Sequence, residues 1–310
     1  MAFSTDQQKL QCKVRVLAIV GCARSGSTLV EGVLQDRFDI CSLGEVCYLW
    51  ERGFLRDESC GCGNPFSRCE FWQSVLKDAF GSVSEADARR FDTAFRSARG
   101  TLLDFELTFR RAPRVDPLFA DIAKPLYRSA RRIGGRRLLD SSKVPRFAAS
   151  LQDAGIVQVD ALHLFRDPCG NVHSLRNAKV RPQARSGSER RMGRSKSIFH
   201  AVLRWKLRNI QSQRLLSRAR SNALTVSYEA FCRNPDTHLQ RFAETYRLEA
   251  RNRDAARQWH SVSGNPMRFT EEKLVIRLDE RWRDSMSATD QAIVRLLSSA
   301  QQARMKRLAE

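Results

Sequence analysis

Residues 14–35 read VRVLAIVGCARSGSTLVEGVLQ, and the fold turns on this stretch. The apolar, β-branched run 14–20 has the composition of a strand buried on both faces of a parallel sheet. Gly21-Cys22-Ala23-Arg24-Ser25-Gly26-Ser27-Thr28 follows, a loop of small residues with one cation. Leu29, Val30, Val33 and Leu34 then recur at helical spacing, so the loop opens a helix. A strand, a glycine-containing turn and a helix N-terminus together present backbone N–H groups and a helix dipole to a phosphate. Gly21 and Gly26 stand at Walker A spacing, but Ser27 occupies the lysine position. That lysine reaches the β- and γ-phosphates of a nucleoside triphosphate. Its replacement argues against ordinary triphosphate hydrolysis and for a smaller anion held by amides, hydroxyls and Arg24.

At 310 residues, with 42% hydrophobic and 28% charged residues, the chain has an ordinary globular composition and length enough for a substantial core. No apolar run approaches the length of a membrane span. The opening MAFSTDQQKLQCKV lacks the apolar centre of a signal peptide, and nine scattered cysteines suit reduced thiols, so a cytoplasmic location is expected. The net charge of +20 points to an acidic partner. No zinc-finger pattern, RNA-binding aromatic signature or long basic helix accompanies it, so no specific nucleic acid is expected.

Three further strand-then-helix units follow. Residues 137–140 form a strand ending in Ser141-Ser142-Lys143, with a helix from Pro145 to Asp153. Residues 158–165 form another, ending in Arg166-Asp167-Pro168, with a helix over 170–178. Residues 224–228 form the last, with a helix interrupted near Asn234-Pro235. Repeated β-α units predict an α/β fold, a P-loop-like central parallel sheet flanked by helices on both faces. Ligands of such sheets sit beyond the carboxyl ends of the strands. Arg24, Lys143, Arg166 and Tyr228 all fall at such ends.

The chain reads as one domain over 1–310 with a helical insertion at 84–135, which Pro113, Pro117 and Pro125 are expected to break into short pieces. Residues 46–55 read as helical, with Leu49, Trp50 and Phe54 inward. Cys60, Cys62 and Cys69, with Cys47 as a fourth thiol, invite comparison with a zinc site. Yet C-x-C is not the usual C-x2-C knuckle and no second knuckle follows, so a compact structural turn without metal is expected. Residues 181–197 hold six cations and one acid among Gly, Ser and Pro, a basic mobile loop; a lid over a polyanion is the second reading. The helices near Trp205 and beyond Thr289 read as packing elements.

With these motifs quoted, the chain resembles the sulfotransferases that use 3'-phosphoadenosine 5'-phosphosulfate (PAPS), closest to bacterial members akin to the tyrosylprotein and carbohydrate branches. Arg24-Ser25-Gly26-Ser27-Thr28 is similar to the family's 5'-phosphosulfate loop. Arg166-Asp167-Pro168 with Ser174 is similar to its 3'-phosphate motif. DSSKVPR over 140–146 resembles the central strand end with its lysine. Tyr228-Glu229 with Asn234-Pro235 resembles the element near adenine. The stretch 260–269, containing Arg268, resembles the loop that closes over the phosphates. The cytosolic aryl and steroid branch has lysine at the Arg24 position and a histidine base, which this chain lacks; His163 reads as a core histidine.

The resemblance implies transfer of a sulfuryl group from PAPS to an acceptor hydroxyl, with release of 3',5'-ADP and no metal required. It implies Arg24 and Lys143 as charge stabilisers and Glu45 as general base. It also implies Arg24, Ser25, Gly26, Ser27, Thr28, Arg166, Ser174, Tyr228 and Arg268 as donor-binding residues, with His173 orienting Ser174. The acceptor class stays open among glycan, lipid, natural product and peptide tyrosine; the basic surplus mildly favours an anionic one. The alternatives are a P-loop kinase, against which the missing lysine argues, and a non-catalytic polyanion-binding or nucleic-acid-binding protein.

Overall fold

The computed structural model describes residues 14–103, 111–177, 197–218, 222–252, 259–264 and 275–310. Five strands form one sheet: β1 (Arg15–Val20), β2 (Ile40–Gly44), β3 (Arg137–Lys143), β4 (Gln158–Phe165) and β5 (Ala223–Ser227). Their order is β2-β3-β1-β4-β5, and every neighbouring pair is parallel. The 14–20 run supplies the central strand, hydrogen-bonded on both sides. Its alternate residues serve opposite faces, as the strand period requires. Val16, Ala18 and Val20 join one apolar cluster, while Leu17 and Ile19 join the other.

Helices cover both faces. Helix α1 (Ser27–Arg37) follows the Gly-rich loop and lies in the second cluster with α8 (Tyr228–Arg233) and α9 (Pro235–Tyr246). The opposite face is packed by α2 (Glu70–Phe80), α3 (Glu85–Arg99), α4 (Leu118–Gly134) and α5 (Pro145–Asp153). A third cluster joins α6 (Pro168–Arg176), α7 (Ile198–Ser217), α10 (Trp282–Ser285) and α11 (Ala288–Ala309). No helix among the described residues is long and apolar enough to cross a membrane.

The α/β architecture matches the sequence expectation, with four differences. Residues 40–44, for which no strand was predicted, form the edge strand β2. Pro125 does not break the insertion: it lies inside the 17-residue α4. A proline costs a helix interior about 3 kcal/mol, and burying Phe119, Ile122, Leu126 and Tyr127 offsets it, each large side chain contributing about 1.5–3 kcal/mol. Residues 46–54 are a 3-10 turn followed by a π-helical turn rather than a regular helix. Leu49 and Trp50 are buried there, but Phe54 is only partly so. β3 runs on through Ser141 and Ser142 to Lys143, because both serines find buried partners. Ser141 Oγ donates to Glu31 Oε2 at 2.6 Å, and Ser142 Oγ accepts from the Cys47 amide at 3.1 Å.

Candidate active site

Every strand of the sheet delivers one expected functional residue at its carboxyl end. Across the sheet these are Glu45 after β2, Lys143 at the end of β3, Arg24 after β1, Arg166 after β4 and Tyr228 after β5. A parallel sheet puts all these ends on one edge, and they line one cleft of about 380 Å3 together with Gly26, Ser27, Thr28 and Ser174.

The Gly-rich loop has the geometry of an anion cradle. Gly26 caps α1 with φ 88°, and no side chain caps the helix N-terminus. Gly26, Ser27 and Thr28 line the cleft at this helix end, where unpaired first-turn amides and the helix dipole give positive potential. A Cβ at Gly26 would stand 2.3 Å from the Tyr228 ring, so glycine is required for both conformation and space. Ser25 points the other way: its hydroxyl accepts from Asn171 Nδ2 at 3.2 Å, and it lies off the cleft lining. Asn171 also donates to the Ala23 carbonyl at 3.0 Å, tying the loop to α6.

Glu45 is held from three sides. Lys143 Nζ donates to its Oε1. Arg52 lies 3.5 Å from Oε2, and Ser263 Oγ donates to the same oxygen at 3.2 Å. The residue is 7% exposed. Its backbone is fixed as well, the Glu45 amide donating to the Val262 carbonyl at 2.8 Å.

Arg24 Nε donates to Ser174 Oγ at 3.0 Å, so the loop arginine and the α6 serine meet directly. Arg166 is braced by the Asp279 carboxylate at 3.3 Å and lies 4.9 Å over the Tyr228 ring. Its carbonyl accepts from Trp205 Nε1 at 3.0 Å. Glu229 binds two strand ends together, accepting from the Asp167 amide at 2.9 Å and from Ser227 Oγ at 2.8 Å. Tyr228 OH bonds the Arg277 carbonyl and the Asp279 amide, both at 3.2 Å.

The cleft is strongly cationic. Arg204 and Arg208, one turn apart on α7, also line it, as do Arg277 and Arg281, while Glu45 and Asp279 are the two carboxylates in the lining. Burial, then the neighbouring Arg166, lowers the Arg24 pKa. Arg208 is lowered by burial and then by Arg204. An anion in the cleft would relieve both repulsions. Asp279 is pushed far below the usual carboxylate range, first by its hydrogen bonds to Arg281 and, against the opposing effect of burial, by Arg166. Cys22, in the same loop, has its thiol raised to about 11 by burial, which removes it as a nucleophile.

Backbone strain gathers here too. Among the described residues five non-glycine residues have positive φ, and three are at the cleft: Arg24 (72°), Lys143 (63°) and Ser263 (58°). Such conformations cost about 1–2 kcal/mol each for an L-residue and persist where surrounding structure enforces them, commonly at functional sites.

Arg268 and most of the basic loop lie outside the described residues. His163 is buried in β4 against Asn209 at 2.9 Å, as a core histidine should be. His173 pairs with Asn177 at 2.8 Å rather than with Ser174. Arg146 of the DSSKVPR motif turns away to bond the Ala98 and Arg114 carbonyls at 3.0 and 2.7 Å. α7 is more than packing, because it brings Arg204 and Arg208 to the cleft. Arg52, Ser263 and Asp279 were not anticipated as site residues: in the 260–269 stretch the resemblance points to Arg268 rather than Ser263, and the helical reading of 46–55 assigns Arg52 no role. Compared with known proteins, the chain matches no family model and no curated protein.

Proposed function

We propose that the chain is a sulfotransferase that moves a sulfuryl group from PAPS to an acceptor hydroxyl and releases 3',5'-ADP. The observation that carries this reading is the pairing, in one cationic cleft, of the uncapped α1 N-terminus with a carboxylate, Glu45, held between Lys143 and Arg52. A phosphate-binding cradle alone suits many nucleotides. A lysine-free loop with a fixed carboxylate a short reach away suits transfer to a hydroxyl.

In this reading the α1 amides, Ser27 and Thr28 hold the 5'-phosphate. Arg24 and Lys143 face the sulfuryl and bridging oxygens, where negative charge grows during in-line transfer. Arg166 and Ser174 hold the 3'-phosphate, which distinguishes the donor from simple adenylates, and Tyr228 abuts the base. Glu45 accepts the acceptor's proton. Lys143 leaves Glu45 for the bridging oxygen as charge develops there, freeing a carboxylate oxygen at the moment it is needed.

The direct test follows 3',5'-ADP release from PAPS with glycan, phenol and tyrosine-peptide acceptors, using Glu45→Gln as control. Acceptor-dependent release that the variant loses supports the proposal. Absence of release across the panel, together with failure to bind 3',5'-ADP, refutes it.

A further inference from the structure

Outside the cleft, the residues with the strongest unexplained chemistry are Cys60, Cys62, Cys69 and His260. Their donor atoms all lie within 4.8 Å of one another. Cys60 and Cys62 come from one turn and Cys69 from just before α2, the histidine from a segment 191 residues after Cys69, and Cys69 Sγ is 3.4 Å from His260 Nδ1. All three thiols are free. The fourth group is thus His260, not Cys47.

The surrounding structure fixes these groups, with Cys62 at the exposed rim of the cluster and His260 half-buried. Cys60 and Cys69 are 1% and 0% exposed. The turn is closed by the Cys60 amide donating to the Asn64 carbonyl at 2.8 Å and the Gly63 amide to the Cys60 carbonyl at 2.9 Å. Cys69 stands at the N-cap of α2, where the dipole favours a thiolate. Trp72 Nε1 donates to the His260 carbonyl at 2.6 Å, and Phe71 stacks on the His260 ring at 4.8 Å and 15°. Backbone and ring of the histidine are both fixed.

We infer that Cys60, Cys62, Cys69 and His260 form a tetrahedral, thiolate-rich site for a structural zinc-class ion. Zn–S bonds of about 2.3 Å and Zn–N bonds of about 2.0 Å place tetrahedral ligand atoms roughly 3.5–3.8 Å apart, so a contraction of about an ångström from the observed cluster completes the shell. Three sulfurs and one imidazole select zinc over the oxygen-seeking cations. Four protein ligands leave no open position, so the ion clamps structure and does not activate water. Binding releases the thiol protons and leaves a site of net charge −1.

What it clamps is the segment that holds Glu45 and reaches the cleft at Gly264. From His260 the chain passes at once to Ser261, whose carbonyl accepts from the Gly61 amide at 3.0 Å, and to Val262, which bonds Leu43 and Glu45 at 2.9 and 2.8 Å. Ser263, which donates to Glu45, comes next. The ion would hold one end of a segment whose other end positions the carboxylate. The site itself stands whether or not the protein transfers sulfate.

The test is elemental analysis of the purified full-length chain, followed by cobalt substitution. About one zinc per chain should survive gel filtration. The cobalt form should show the visible bands of tetrahedral Co(II) and thiolate-to-metal charge transfer, and amides of 259–264 should exchange faster once a strong chelator removes the ion. Cys69→Ser combined with His260→Ala should cut bound metal at least tenfold, whereas Cys62→His should retain it. Less than a tenth of a metal per wild-type chain, both as purified and after anaerobic reconstitution with zinc, would overturn the inference. So would a disulfide among the three cysteines in the native protein. Both readings use the wild type, so a variant that fails to fold does not blunt them.

Discussion

The two edges of the sheet are both rich in arginine and do opposite things with it. At the amino edge, Arg15 is ion-paired with the fully buried Asp160 at 3.2 Å, Arg137 pairs with the same carboxylate, and Arg136 bonds Asp39 at 3.0 Å. Helix C-termini collect there: α4 carries Arg131 and Arg132 in its last turn and α1 carries Arg37. Cations beside terminal carbonyls neutralise a negative dipole end. At the carboxyl edge, arginines face one another and a helix N-terminus, so dipole and side chains add to the same sign. Charge of one kind locks structure where backbone polarity opposes it. Where backbone polarity matches it, the charge awaits an anion.

Substitutions at the two ends of the strands separate these two uses of charge. Glu45→Gln should lower acceptor-dependent turnover by roughly 100- to 10,000-fold, the range for losing a general base. Binding of 3',5'-ADP should be kept or tightened, since a negative charge leaves the cleft; calorimetry beside single-turnover kinetics reads both. Asp160→Ala should do the reverse. Leaving Arg15 and Arg137 without their buried partner should cost about 3–5 kcal/mol in urea unfolding, with nucleotide affinity of the folded protein unchanged.

Between the edges, burial holds the His163 pKa down to about 4 from its ordinary 6.5. The unfolded chain therefore takes up this proton more readily. Its contribution to stability is complete above about pH 6.5 and is lost as pH falls toward 4, on the order of 3 kcal/mol. His163→Gln should flatten that part of the stability profile, and a slope unchanged in the variant would assign it to other groups. The smallest effect is at the amino edge. Arg247 caps α9 at φ 53°, so Arg247→Gly should raise stability by about 0.5–1 kcal/mol and leave ligand binding untouched. Arg24→Gly relieves the same backbone strain but should abolish anion binding, showing what the strain at the cleft maintains.

Much of this was legible in the sequence because it is local. The 14–35 stretch dictates strand, loop and helix in one reading, and Pro145 marks a helix start that the structure reproduces, whereas the helix expected over 170–178 begins two residues earlier, at Pro168. Arg24, Lys143, Arg166 and Tyr228 could be placed together from strand ends alone, since a parallel sheet aligns those ends. β2 was missed because Ile40-Cys41-Ser42-Leu43-Gly44 is short and half polar. Ser42 is buried only because it bonds Glu31 on α1, a partner that no periodicity reveals. The 260–269 stretch stood out as a motif, but what His260 and Ser263 bond was illegible for a related reason. They meet Cys69 and Glu45 through a chain return of about two hundred residues, and the link is backbone pairing to Leu43 and Glu45, which carries no residue signature.

Whether the carboxyl edge binds a 3'-phosphorylated nucleotide, as proposed, is read by calorimetric titration with 3',5'-ADP against 5'-AMP, repeated with Arg166→Ala. A preference of about 10- to 100-fold for the bisphosphate, the worth of one set of charged hydrogen bonds, is expected in the wild type and its loss in the variant. Equal affinity for the two nucleotides in the wild type, or binding of neither, would contradict it.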